Sequence, residues 1–240
     1  VVSGGPIEDV DPAPPRARRA PSATTQRLEA FSDAVLAIAI TLLVLEIAVP
    51  ESRSDRLFDD LLDAWPSYVA FILSFVVIGI MWVSHHSMFE RIARVDRGLL
   101  FVNLLLLLGI AFLPFPTALL ASYAEEGGSN ASVAAAVYSA TMVAIGLAFT
   151  AMWVYLDRHR DLLVEGLDPS LLRRSVKRSF VGPVVYGLSI GLAFVSALAC
   201  FVVYAGVAVY FAWGPSSRIL HPHGHAHGDS DAATDTPDAP

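Results

Sequence analysis

The sequence predicts an all-α membrane protein of six transmembrane helices, on three observations. Of its 240 residues, 55% are hydrophobic and only 16% are charged, where a soluble domain carries about a quarter charged. The apolar residues are gathered into long uncharged blocks, as in polytopic membrane proteins. The basic residues fall almost wholly in alternate connecting segments. The net charge of −7 carries less information, because such a protein sorts its charge by loop.

The spans follow in order. Residues 31–49 contain no Gly or Pro and read as one unbroken helix. Residues 64–84 form a second uncharged span, and residues 98–124 a third with a Pro-Phe-Pro break at Pro114 and Pro116. Residues 129–156 form the fourth, rich in Ala, Gly and Ser, which suits close helix packing more than a pore. The last uncharged block, 179–217, is 39 residues long. As one helix it would reach about 58 Å, near twice the hydrocarbon core. Two short spans with a tight turn near Ser196 to Cys200 fit better.

Charge then orients the chain. With six spans and both termini cytoplasmic, the inside segments are 1–30, 85–97, 157–178 and the tail. They hold 14 of the 16 Lys and Arg residues. Only Arg53 and Arg56 fall outside, in a loop that also carries Glu51, Asp55, Asp59, Asp60 and Asp63. The positive-inside rule favours this arrangement over a five-span one, which would expel Arg218.

The first 24 residues, rich in Pro, Ala and Arg, read as a disordered arm with no cleavable signal. Residues 25–215 make the membrane domain. Residues 216–240 form a disordered tail with alternating histidines and four aspartates. Such a tract binds transition metals weakly at best. The single cysteine, Cys200, excludes an internal disulfide and a cysteine metal cluster, and reads as a small residue packed in a membrane helix. The basic segment 157–178 reads as a loop along the anionic inner leaflet.

The first helix carries the informative residues. Thr24 or Thr25 can cap it. At 100° per residue, Ala34, Ile38, Thr41, Leu42 and Leu45 share one face. Plain packing against neighbouring helices produces such a stripe too. Asp33 lies in or near the membrane, where a carboxylate is costly and needs a partner, unless it rests at the headgroup level in the first turn. Glu29, one turn back, is a like charge. Arg27 is six residues away on another side of the helix. The partner should therefore come from a different helix. The second span ends "MWVSHHSMFERIAR" at the same membrane face. His85 and His86 lie at the depth to bond Asp33 or Ser32, while Trp82 suits the interface belt. Adjacent histidines point about 100° apart and no Cys or Glu-x-x-His pattern is nearby, so a zinc site is not expected. Asn103, in an apolar run of the third span, should bond another helix.

These residues carry a resemblance. Arg27, three residues, then Phe31-Ser32-Asp33 is similar to the Arg-x-x-x-Phe-Ser-Asp signature that opens the first helix in the transmembrane protein 175 family. The likeness continues through "AVLAIAITLLVLEI", Trp82-x-x-His85 with Phe89, and "NLLLLLGIAFLPFPT". It covers roughly residues 25–215, resting mainly on hydropathy over the last two spans. The resemblance implies a potassium-permeable cation channel with passive conduction, not an enzyme. One six-helix repeat per chain implies a homotetramer in the cell inner (plasma) membrane. Four copies of the first helix would line the pore. By position, Ile38 would be the narrowest constriction, Leu42 and Leu45 further apolar rings, and Thr41 a hydroxyl ring tied to cation preference. Arg27, Phe31, Ser32 and Asp33 would act with His85 and Asn103 as a structural clamp. The sequence holds no Thr-Val-Gly-Tyr-Gly filter. "YGLSIG" at 186–191 does not match one. Potassium ions, the lipid bilayer and further copies of the chain are the expected partners. No cofactor, metal or nucleic acid is implied.

The competing reading is a small-solute or ion secondary transporter, which would want a polar midplane site and broken helices. The Pro-Phe-Pro bend is its one hint. A membrane enzyme built on His85 and His86 would need a further group at their depth, which only Asp33 could supply.

Overall fold

The computed structural model describes residues 22–47, 49–50, 56–123 and 128–213. The N-terminal arm up to residue 21 and the His/Asp-rich tail lie outside them.

The helices follow in chain order. The first, α1, spans Ala23–Leu42, and a 3-10 turn continues it over Leu43–Glu46. The cap is Ser22, whose Oγ accepts from the Thr25 amide at 3.3 Å, so the helix begins before the expected Thr24 or Thr25. Thr25 is instead buried and donates its hydroxyl to the Ala93 carbonyl. A short α2, Leu57–Asp63, precedes α3, Trp65–Phe89. Pro66 suits the first turn of α3, where its missing N–H costs nothing. That helix runs five residues past the expected end and so carries both histidines.

Asp96 caps α4, Arg97–Phe112, accepting from the Leu99 amide at 2.8 Å. The break falls at Leu113, and Pro114 opens α5, Pro114–Tyr123, as the Pro-Phe-Pro pattern requires. Helix α6, Gly128–Arg158, is the longest. The basic segment beyond it is not all loop. Residues 165–166 turn, with Gly166 at φ 81°, a conformation that favours glycine. Asp168 then caps α7, Pro169–Ser179. Helices α8, Val181–Ala193, and α9, Ala197–Ala212, divide the last apolar block. The turn between them is Phe194 to Ser196, just ahead of the expected position. Ser196 stabilises it by capping α9 at the Ala199 amide.

Among the described residues, four helical stretches are long and apolar enough to cross a membrane: Ala23–Glu46, Trp65–Phe89, Arg97–Tyr123 and Gly128–Arg158. The chain is a multi-pass membrane protein. Helices α8 and α9 are shorter, at 13 and 16 residues.

Inside the bundle, α1 lies against α3 and α4, and α8 lies along α6. Buried hydroxyls find partners, as a water-poor interior demands: Thr150 and Ser189 bond carbonyls of their own helices, and others reach across helices. Ser74 on α3 bonds Thr117 on α5 at 2.8 Å and Tyr138 on α6 at 3.3 Å. Tyr204 on α9 donates to the Ala135 carbonyl and lies 2.7 Å from Ser139 Oγ, both on α6. Cys200 is buried beside the Ser189 carbonyl. Exposed Phe101, Leu105 and Leu108 mark one outer surface of α4.

The two ends differ in charge. The Ser22 amide bonds the Ala93 carbonyl, Ala93 bonds Leu162, and Ile92 pairs with Leu163. These links bring the start of α1 to the segments carrying Arg91, Arg94, Arg97, Arg158 and Arg160. Arg178 reaches the Phe211 carbonyl at the same end.

Candidate functional site

Two faces of α1 have opposite fates. Leu28, Ser32, Leu36, Ala39 and Leu43 are buried against the bundle. Ile38 is 57% exposed, Leu42 41% and Leu45 74%, and Thr41 and Ala34 are exposed with them. At about 100° per residue the two stripes are centred roughly 130° apart. The stripe of Ile38, Thr41, Leu42 and Leu45 is therefore not used for packing within one chain.

The helix does not keep its α pitch to the end. From Leu43 it tightens to three residues per turn. That stacks Leu45 above Leu42, where a continuous α-helix would rotate it by about 60° to one side. Thr41 donates its hydroxyl to the Ile38 carbonyl at 2.9 Å, which leaves the oxygen lone pairs on the exposed side.

The buried face is fixed by a three-helix hydrogen-bond chain. His85 Nε2 on α3 lies 3.0 Å from Asn103 Oδ1 on α4. Asn103 Nδ2 donates to Ser32 Oγ on α1 at 2.9 Å. Ser32 Oγ donates to the Leu28 carbonyl at 2.9 Å. Directions follow from the donors available. The Ser32 proton is committed to Leu28, so Ser32 must accept from Asn103. The Asn103 oxygen then faces His85, whose Nε2 must carry the proton. All three side chains are fully buried. His85 Nδ1 has no hydrogen-bond partner among the described residues, and its ring stacks on Phe89 at 4.4 Å between centroids.

A second row of contacts lines the outer edge of the same seam. Trp82 Nε1 donates to Asp33 Oδ1 at 3.0 Å. Glu29 pairs with His86 Nδ1 at 3.0 Å. The partner of Asp33 is thus on another helix, but it is the indole rather than a histidine. The reason is rotational: Trp82 and His86 share one side of α3, their rings stacked 6.0 Å apart, while His85 points into the core. Ser32, His85 and Asn103 are brought together, and Asp33 joins their seam through Trp82. Arg27 and Phe31 are not part of this cluster. Arg27 is exposed with no ion pair among the described residues, and Phe31 is 50% exposed. Trp82 and Glu29 were not among the expected clamp residues. Trp82 was readable as an aromatic one turn before His86 at the depth of Asp33.

This arrangement supplies no nucleophile with a base and no set of converging carboxylates. Among the described residues no three His, Cys, Asp or Glu side chains gather as a metal site would. What it supplies is a helix held at a fixed rotation, with one apolar face and a hydroxyl turned outward.

Known proteins share this plan. Residues 27–114 match the family model described as the endosomal/lysosomal potassium channel TMEM175. A potassium channel of Streptomyces collinus is 48% identical over 186 residues, 77% of this chain and 90% of the relative. A potassium channel of Chamaesiphon minutus is 42% identical over 78% of this chain and 93% of that protein. The crystal structure of a lysosomal potassium-selective channel TMEM175 homologue from Chamaesiphon minutus superposes with a TM-score of 0.70 at 41% identity. It spans 80% of this chain and 97% of that one. With that identity sustained over nearly the whole of both relatives, the chain belongs to the TMEM175 family.

Proposed function

We propose that this protein is a potassium-permeable cation channel in which α1 from four copies of the chain surrounds a central pore. The observation that carries the reading is the division of α1 into a buried, hydrogen-bonded face and an exposed face of Ile38, Thr41, Leu42 and Leu45. Relatives named potassium channels support it. Ile38 is the narrowest constriction, and Leu42 and Leu45 form apolar rings stacked along the pore. Such rings close a pore by dewetting and open on a small widening or rotation. Thr41 presents hydroxyl oxygens to the ion. No carbonyl cage replaces the hydration shell, so potassium preference is modest and conduction passive.

The clamp residues Ser32, Asp33, His85 and Asn103 set the rotation of α1, and so which side chains meet the pore axis. Six spans with both termini cytoplasmic, in the plasma membrane, fit the sorting of basic residues to one end.

Purified protein in liposomes tests the reading. Uncoupled potassium flux that follows the gradient, from an assembly of four chains by native mass, is the expected result. Saturable flux tied to a proton or sodium gradient would instead support a secondary transporter.

A further inference from the structure

A groove of about 460 Å³ opens at the basic end of the bundle, between α3, α6, α7, α8 and α9. It lies on α3 and α6, away from the exposed face of α1. Its volume is within the roughly 300–1,000 Å³ typical of small-molecule sites. Its chemistry is split. The wall is apolar, built from Met81, Ile145, Phe149, Tyr186 and Phe211. The polar lining is cationic and hydroxylic: Arg91, Arg174 and Arg178, with Ser87 and Ser175 among the hydroxyls. Among the described residues no Asp or Glu lines it.

Helix α7 is built for this. Leu171, Arg174, Ser175 and Arg178 recur at helical spacing and face the groove, while Leu172 is buried in the bundle. Arg91, from the segment after α3, donates to the Ser87 carbonyl, and Arg178 donates to the Phe211 carbonyl at 3.2 Å. These bonds hold two guanidiniums in place without neutralising them. None of the three forms an ion pair with a carboxylate among the described residues. Burial pulls the Arg91 pKa below its ordinary value, with Glu90 opposing, and a desolvated cation favours an anionic neighbour.

We infer that this groove binds an anionic phospholipid, its phosphate held by Arg91, Arg174 and Arg178 and its acyl chain laid along the apolar wall. The charge is complementary, the apolar wall continues from the cationic lining as an acyl chain continues from its headgroup, and the site is at the bundle end where basic pockets meet anionic headgroups. A small anion would use the arginines and leave the wall empty.

The test uses the full-length protein in nanodiscs of equal phosphatidylglycerol and phosphatidylcholine, with lipid retained after extraction read by native mass spectrometry. Preferential retention of phosphatidylglycerol is expected. Among the described residues Arg174 makes no ion pair, and its charge acts only through space on Asp168, so Arg174→Gln removes charge with little structural loss. It should weaken retention roughly fivefold, the effect of one basic residue near an anionic surface. Arg173→Gln, which removes the same charge outside the groove, should leave retention unchanged. Helical circular dichroism checks that both variants fold. Equal retention of the two lipids overturns the proposal. So does equal loss in the two variants, or displacement of the lipid by millimolar inorganic phosphate. No retained lipid, the outcome if a second copy or the chain's own terminal segment fills the groove, overturns it as well. Binding is read without any flux measurement, so the result stands apart from the channel reading.

Discussion

Asn103 on α4 donates to Ser32 on α1 at 2.9 Å, while its oxygen lies 3.0 Å from His85 on α3. One amide thus ties three helices and sets the rotation of the first. Asn103→Leu should leave both His85 and Ser32 without their partner in a buried site. The expected cost is about 1–3 kcal/mol in unfolding free energy, measured by denaturation in detergent. Ser32→Ala should cost less, about 1 kcal/mol, as one interhelical bond does. The double variant should fall well short of the sum, because both changes break the same bond.

Asp33 and Trp82 form the outer link of the same seam, at 3.0 Å. Asp33→Ala should reduce assembly or current while leaving the potassium-to-sodium preference unchanged. Trp82→Phe should act in the same direction, since it removes the donor and keeps the ring. Subunit number by native mass and bi-ionic flux read the two effects separately. A changed ion preference in either variant would contradict a purely structural role.

Gly146 on α6 lets α8 approach closely. A Cβ built there would lie 2.8 Å from the Pro183 ring and 3.3 Å from its backbone nitrogen. The ring is tied into α8 and cannot swing away. Gly146→Ala should therefore destabilise by about 1–3 kcal/mol through overpacking, seen as a lower melting temperature. Gly79 has open space around it, so Gly79→Ala should show no such loss.

Asp96 caps α4 and accepts from the Tyr155 hydroxyl at 2.6 Å. That bond, with the Leu99 amide, holds its carboxyl below the ordinary carboxylate range. A depressed pKa adds stability above the unfolded value, and that stability is lost as pH falls through the folded one. Asp96→Asn should flatten this acid limb of the melting-temperature profile. Asp96→Ala should also cost about 1 kcal/mol at neutral pH through the lost cap.

Much of this was legible in the sequence. Long apolar runs mark helices α1, α3, α4 and α6, and Pro114 marks the α4–α5 break. The need for Asn103 to bond another helix, and for Asp33 to look beyond α1, follows from the cost of polar groups in an apolar interior. The remainder depended on rotation. Sequence depth places Trp82, His85 and His86 near Asp33 alike, but only the packed orientation of α3 turns His85 inward and Trp82 toward the acid. Arg27 and Phe31 entered the expected clamp through the signature resemblance, and within one chain both are exposed. The segment 157–178 looked like loop because its positive charges hide the spacing of Leu171, Leu172 and Ser175, and α7 emerges once Leu172 has a core to enter. The 3-10 end of α1 has no strong residue signal, since Leu43, Val44 and Leu45 suit either pitch.

The central claim is that the exposed face of α1 forms the closed part of a pore. Potassium flux through liposomes containing Ile38→Asn tests it most directly, with Leu105→Asn on the outer surface of α4 as control. A polar ring at the constriction should admit water, and flux should rise on the order of tenfold, as a barrier lowered by ~1.4 kcal/mol gives. The control should conduct like the unaltered protein. An assembled Ile38→Asn channel with unchanged flux would contradict the account.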